Sequence, residues 1–486
     1  MIAPLQDDTV KTLPRWARLL DAIALVCLLV GVAAALSPAR VRLDLGLGIV
    51  SLGPPWRPLL LALFLAGGRH WRLPRPHLGE RVAAWARELR GPSFVLSARM
   101  LLATRLPILL AGYGATLIIG LPQSVARPIS ENPLRDLPAR WDATWYMEIA
   151  RAGYRYDPRL GPDAQQAIVF FPVYPMLMRT LAAFTTPDRS ATMAYDPYLE
   201  MRQVHLAWGG LLISLLAFSC ALVVVYRWAE LHAGADAAAA TVVLLSAYPF
   251  AVYFSAPYTE ALYLLFVTGA CYAFERGRLT VAGAAGLLAG LTRPNGAMLS
   301  LALAILALAP VRRREPGWIR RTSGGLLAAA MPGVGMLLYS AYVYGLSGNP
   351  LAWIEAQAAW GRGFDVTVEH YAWVVRTIAD EGVLAYVRAL PGEVLQMAAV
   401  VFSLALVWPV WRRIGPAYAV FILANLLPPM FQGGVLSLGR FTATLFPQFL
   451  ALALLLPPER HTSWIIAFGI GQGLIAAVFF TWRPIY

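Results

Sequence analysis

Charge is scarce in this chain. Charged side chains make up 14% of the 486 residues and apolar ones 58%. Soluble domains run near 25% charged and 45–50% apolar, so the composition excludes an ordinary water-soluble enzyme. It also excludes a disordered chain, which needs low hydrophobicity. Cysteine is nearly absent as well: Cys27, Cys220 and Cys271 all lie in apolar stretches and have no metal-ligand spacing. They read as small core residues and say nothing about redox compartment. The six histidines, His70, His77, His205, His232, His370 and His461, are scattered, and no HExxH, Walker or Rossmann pattern occurs. We therefore expect no bound metal and no cofactor. Lysine is reduced to Lys11 among 40 basic residues. The net charge of +13 raises nucleic acid as a partner. No arginine run is interleaved with aromatics on a hydrophilic surface, so no nucleic acid is expected.

Apolar runs of bilayer-spanning length recur from end to end. Spans are expected near 19–36, 55–68, 98–120, 203–227, 237–255, 258–274, 280–292, 296–310, 322–345, 395–411, 416–431, 439–456 and 463–482. The expected fold is an all-α polytopic membrane protein of about thirteen transmembrane helices. The run 19–36 before Ser37-Pro38-Ala39 imitates a signal peptide, but a second span follows it and a retained helix is the better reading.

Arginine placement sets the expected orientation. Arg69, Arg72, Arg75, Arg81, Arg87 and Arg90 fill one loop, and Arg312, Arg313, Arg314, Arg320 and Arg321 another. Arg276 with Arg278 and Arg412 with Arg413 mark two more. All fall on one side if the spans alternate, which puts the N-terminus in the cytoplasm and the C-terminus outside. Two extracytoplasmic segments, about 121–202 and 346–394, are too long to be turns, and the first is rich in aromatics, proline and carboxylates. Both are expected to fold onto the membrane surface.

The segment Arg140-Trp141-Asp142-Ala143-Thr144-Trp145-Tyr146-Met147-Glu148-Ile149-Ala150 places Trp141, Trp145 and Ile149 on one helical face. Such a helix lies in the interface with its tryptophans at headgroup depth. Asp142 beside that face either caps the helix or takes a proton from an acceptor hydroxyl. Glu148 is expected in solvent. Phe170-Phe171-Pro172-Val173-Tyr174-Pro175 reads as an aromatic wedge, for which packing suffices. Glu260, after Tyr258-Thr259, either serves a helix N-terminus or sits at the mouth of a polar cavity. The short spans 280–292 and 296–310 meet at Thr292-Arg293-Pro294-Asn295-Gly296. Half-length helices broken by proline and glycine line polar cavities, unless Arg293 merely snorkels from a hairpin. Gln357, Trp360 and Arg362 suit either sugar recognition or an interfacial anchor. Arg440 follows the Gln432-Gly433-Gly434 turn and opens a helix, where a cation opposes the dipole. Either an anionic ligand or snorkelling explains it.

These blocks, read in order, resemble the PIG-V family, which holds the second mannosyltransferase of glycosylphosphatidylinositol assembly and bacterial relatives. The resemblance rests on the two motifs at 140–154 and 170–175. It continues through Tyr258-Thr259-Glu260, Thr292-Arg293-Pro294-Asn295-Gly296, Gln357-Ala358-Ala359-Trp360-Gly361 and Arg440-Phe441 with Phe446-Pro447. It implies a GT-C glycosyltransferase fold and transfer of mannose from a polyprenyl-phosphate donor on the extracytoplasmic face of a bacterial plasma membrane. It places the functional aspartate at Asp142. The family puts its large outer loop after the first span, whereas two spans precede it here. Residues 1–97 are therefore expected to form an N-terminal two-span addition, and 98–486 the catalytic membrane domain.

On this reading Asp142 is the base of an inverting transfer, and Arg293, Arg440 and Arg362 hold the donor phosphate. Trp141, Tyr146, Glu260, Asn295, Gln357 and Trp360 bind substrate, and backbone N–H groups at Asn295-Gly296 add to the anion site. The other partners are membrane lipids and an acceptor that is a glycan, lipid or protein. A transporter or flippase of lipid-linked sugars and a non-catalytic assembly subunit are the competing classes.

Overall fold

The computed structural model describes residues 14–37, 42–44, 49–51, 54–73, 77, 79–80, 87, 89–123, 128–161, 164–187, 195–312 and 318–485. The described chain is helical apart from one antiparallel hairpin, in which Arg42–Asp44 pairs with Ile49–Ser51. Of the orienting arginines, Arg75, Arg81, Arg313 and Arg314 lie outside the described residues.

Among the described residues, six helices are long and apolar enough to cross a membrane: Trp16–Leu36, Pro92–Ile118, Asp196–Ala247, Trp318–Ser347, Pro391–Arg413 and Pro458–Phe480. A bent pair, Pro249–Ser255 with Glu260–Glu275, makes a seventh if counted as one span. This criterion does not confirm the thirteen expected spans, several of which fall on shorter or broken helices. The stretch expected as two spans at 203–227 and 237–255 is a run Tyr195–Ala247 broken at Gly234. There φ is 82°, in the left-handed region that glycine adopts without cost. The α-helical run stops at Ala247 because Pro249 follows, and residues 249–255 continue as a 3-10 helix. The run 439–456 divides into Leu438–Ala443 and Pro447–Leu455.

The residues cluster into two compact units, Met1–Val95 with Arg179–His205, and Leu96–Met178 with Leu206–Tyr486. In the first, helices Arg15–Leu36 and Trp56–Arg72 pack as a pair. Arg69, expected in a loop, lies inside the second of these helices. It is fully buried, with Nε 3.1 Å from Asp21 Oδ1.

In the larger unit, helix Leu279–Thr292 packs on Trp318–Ser347 at backbone distance, where a Cβ at Gly290 would meet the Pro332 carbonyl. A buried guanidinium, Arg105, closes the end of the long helix by donating to Ser246 O at 2.7 Å and Gln472 Oε1 at 3.1 Å. The two long segments expected outside the membrane hold helices among their described residues. Helices Ala143–Ala152 and Val173–Thr185 build the first, and Phe364–Glu381 and Val383–Ala389 the second. Phe171 fills a core with Tyr339 and Trp353, while the Tyr339 hydroxyl donates to Ile168 O at 2.8 Å. Phe171 of the aromatic wedge therefore serves packing, while Phe170 lines the cavity described below.

Candidate functional site

The turn before helix Ala143–Ala152 is held from three sides. Asn132 Oδ1 accepts the N–H groups of Leu134 and Arg135, capping the short helix Pro133–Asp136. Asp136 then receives buried Arg140 at 2.7 Å, and Arg140 Nε donates to Phe480 O at 2.7 Å. Trp141 adopts a left-handed φ of 53°, its Nε1 donates to Phe479 O at 3.2 Å, and its ring lies 4.9 Å from that of Trp482. A bulky residue in that conformation is strained unless its surroundings hold it there. The result is that Asp142 stands at the helix start with its backbone N–H donating to the Tyr258 hydroxyl at 3.1 Å.

The Asp142 carboxylate does not cap the helix. It faces Arg440, whose Nη1 lies 2.5 Å from Oδ2. Arg440 Nε is in turn 3.7 Å from Glu260 Oε1, and Arg293 Nη1 is 2.5 Å from that same oxygen. The four side chains form a row of alternating sign, Asp142, Arg440, Glu260 and Arg293. Arg293 is 6% exposed, so it does not snorkel, and Glu260, 1% exposed, serves both the first turn of its helix and the cavity wall. Arg293 also lies over the Phe441 ring at 4.4 Å. Beneath it, Tyr263 and Asn295 both donate to Asn425 Oδ1, at 2.9 and 2.8 Å.

This row opens into a cavity of about 910 Å³. Every site residue expected from the sequence lines it: Asp142, Arg293, Arg440, Arg362, Trp141, Tyr146, Glu260, Asn295, Gln357 and Trp360. Arg362 lies with its side chain against Gly433. Enclosure, and next the Arg440 charge, push its pKa down to about 10. Burial, then the Glu260 and Asp142 carboxylates, push the Tyr146 phenol up. Trp145 stacks on Phe170 with centroids 5.8 Å apart, and Trp360 stands edge-on to both. These rings make an aromatic corner beside Gln165 and Gln357.

One expected element is placed differently. Asn295-Gly296 does not present backbone donors to the cavity as a helix start. It lies in a five-residue 3-10 turn, Gly296 N–H donates to Arg293 O at 2.9 Å, and a Cβ at Gly296 would meet the Ala289 carbonyl. The glycine is there for close packing. Four residues of the site were missed by sequence reasoning: Tyr258, Gln165, Asn425 and Trp482. Asn425 carried a signal, since a lone amide within an apolar run is expensive and has a partner. Tyr258 stood in a motif, but nothing local showed that it faces residue 142.

Residues 100–308 match the family described as mannosyltransferase (PIG-V). The PIG-V match contains Trp141, Asp142, Tyr146, Glu260, Arg293 and Asn295, whereas Gln357, Trp360, Arg362 and Arg440 reach the same cavity from beyond it. No curated protein matches the chain. Among solved structures, the chain is similar to the Archaeoglobus fulgidus oligosaccharyltransferase in its apo form, at 15% identity and a TM-score of 0.37. That alignment covers 78% of this chain, which spans 56% of the oligosaccharyltransferase.

Among the described residues, no three His, Cys, Asp or Glu side chains converge as a metal site would require. The two carboxylates of the cavity each face a guanidinium at 2.5 Å, a donor set already committed to organic cations.

Proposed function

We propose that the protein is an inverting glycosyltransferase of GT-C type. It moves mannose from a polyprenyl-phosphate carrier to an acceptor hydroxyl on the extracytoplasmic membrane face. The observation that carries this reading is the alternating row Asp142–Arg440–Glu260–Arg293 at the wall of a cavity with an aromatic corner. A carboxylate takes up a proton, guanidinium groups receive a phosphate, and aromatic faces stack on sugar rings. The PIG-V match over residues 100–308 supports the donor sugar.

In the transfer the acceptor oxygen attacks the anomeric carbon on the face opposite the phosphate. A carbon–oxygen bond forms to the acceptor while the bond to phosphate oxygen breaks, and its electron pair leaves on the carrier phosphate. The acceptor proton goes to Asp142. Such general-base help is worth about 10²–10⁴-fold. Negative charge grows on the phosphate, where Arg440, Arg293 and Arg362 meet it. The catalytic work belongs to residues 98–486, and residues 1–97 are an N-terminal addition. The site faces outward with the N-terminus in the cytoplasm, in a bacterial plasma membrane.

The test is transfer of radiolabelled mannose from its lipid carrier by the full-length protein in membranes. Asp142→Asn loses transfer by two to four orders of magnitude. Unchanged transfer overturns the assignment. Carriage of lipid-linked sugars is the second reading, favoured by the 102° bend between Pro249–Ser255 and Glu260–Glu275. It predicts movement of labelled lipid across vesicles with no covalent product.

A further inference from the structure

The charges of the cavity do not balance, and the imbalance has a location. Its lining holds two carboxylates, Asp142 and Glu260, and three guanidiniums, Arg293, Arg362 and Arg440. Glu260 pairs with Arg293 and Asp142 with Arg440, each at 2.5 Å. Arg362 makes no ion pair to a described residue, so the site is one negative charge short, the charge of a phosphodiester. Arg362 alone offers that group one guanidinium fork, and a second guanidinium adds further charge-assisted hydrogen bonds. Two further cations, Arg440 and Arg293, line the same cavity, and the Arg440 charge acts on Arg362 the more strongly. Arg440 is engaged with Asp142, the very group that the proposed transfer needs uncovered.

Arg440 is built to let go. Its Nε is buried and hydrogen-bonded to nothing, and lies 3.7 Å from a Glu260 oxygen. Both Glu260 oxygens are buried and accept no hydrogen bond of good geometry. Its guanidinium carbon lies 5.7 Å from the Tyr258 ring centroid, a face along which it can slide while keeping cation–π contact. The helix that carries it starts at Ser437, held at a left-handed φ of 60° after the Gly433-Gly434 turn. Asp142 does not depend on Arg440 for position, because Tyr258 holds its backbone N–H.

Resting on the proposed function, we infer that Arg440 is a shared guanidinium. It covers Asp142 in the free protein and passes to the donor phosphate on binding, with Glu260 steadying it in both positions. Arrival of the phosphate then uncovers the carboxylate, so the acceptor hydroxyl meets its base only after the donor is seated. An acceptor, or water, entering first finds Asp142 occupied.

If phosphate and Asp142 compete for one guanidinium, removing the carboxylate's charge must favour the phosphate. The experiment measures binding of farnesyl phosphate to the purified full-length protein by tryptophan quenching. Asp142→Asn, dead in transfer, binds the probe about fivefold or more tightly than wild type. Arg440→Gln binds it more weakly, and adding Asp142→Asn to Arg440→Gln restores nothing. Unchanged or weaker binding by Asp142→Asn overturns the exchange. So does equal tightening in both backgrounds, which reports only the loss of a nearby negative charge. Should Arg440→Gln not fold, phenylglyoxal labelling of Arg440 read by peptide mass spectrometry decides. Asp142→Asn raises that labelling and farnesyl phosphate suppresses it, whereas labelling indifferent to Asp142→Asn overturns the exchange. Failure of wild type to bind farnesyl phosphate at all refutes the donor site itself, a separate result.

Discussion

Asp142 Oδ2 and Arg440 Nη1 stand 2.5 Å apart although 298 residues separate them along the chain. The contact joins the folded outer segment to the short helix Leu438–Ala443, and it decides between two readings of each residue. Asp142 at a helix start has the position of a cap, yet its side chain accepts no backbone N–H. Arg440, expected to open a long helix against its dipole, lies instead in the last turn of the six-residue helix Leu438–Ala443, and its partner is a carboxylate from elsewhere in the chain. Asp142 forgoes its local role as a cap, which is the mark of a side chain held for a ligand or a reaction.

Tyr258 should behave as a positioning residue. Its hydroxyl accepts the Asp142 N–H at 3.1 Å, and Tyr258→Phe removes that acceptor while keeping the ring beneath Arg440. A net hydrogen bond is worth about 1 kcal/mol, or roughly fivefold. The expected outcome is kcat for mannose transfer lowered about fivefold with donor KM unchanged. A rise in KM at constant kcat would instead assign Tyr258 to donor binding.

The turn that presents Asp142 depends on a buried ion pair. Arg140 and Asp136 are 1% and 4% exposed at their side chains, and Asp136→Asn leaves the guanidinium buried without its anion. Breaking such a pair costs about 3–5 kcal/mol, and the Phe480 and Ala139 carbonyls that still hold Arg140 place this case at the lower end. Thermal unfolding of the detergent-solubilised protein should occur at a clearly lower temperature, with kcat reduced as Trp141 and Asp142 lose their anchor. Unaltered unfolding would show that the turn is held by Trp141 and Trp482 alone.

Part of this site was legible in the sequence because its chemistry sits in short motifs. Asp142 with Trp141 and Tyr146, and Arg293 with Asn295, each come from one contiguous block within the stretch that matches PIG-V. What could not be read is which charge faces which. The row Asp142–Arg440–Glu260–Arg293 draws on four segments, and a sequence window sees one at a time. The helices are more broken than the expected spans for a related reason. Hydropathy measures how apolar a run is on average, and the runs 237–255 and 439–456 are apolar on average. Pro249 and the break between Ala443 and Pro447 end their helices nonetheless. Arg69 misled in the opposite way: an arginine near a span's end counts towards orientation, but Asp21, one helix earlier, buries it.

Chelation should leave the reaction intact. A divalent cation bound at Asp142 or Glu260 would have to displace a guanidinium from 2.5 Å in each case. Transfer measured in excess EDTA is therefore expected at the untreated rate. Loss of turnover with EDTA, restored by Mg²⁺ or Mn²⁺, would mean that the arginines serve as counter-ions only in the absence of metal.

Arg362 gives the site a pH dependence whose sign follows from its surroundings. Enclosure disfavours its charged form and the neighbouring Arg440 charge adds to this, bringing its pKa down to about 10. A cation is present below its pKa and lost as pH rises through it, so wild-type donor KM should stay flat until about pH 10. Lysine in the same place starts from about 10.4 rather than from arginine's higher value, and the same two causes lower it further. Arg362→Lys should therefore match wild type near neutral pH apart from losing the planar fork. Its donor KM should then climb at a lower pH than that of wild type. The comparison separates charge from shape. A KM raised equally at every pH would assign Arg362 a geometric role, and parallel flat profiles would remove it from the phosphate site.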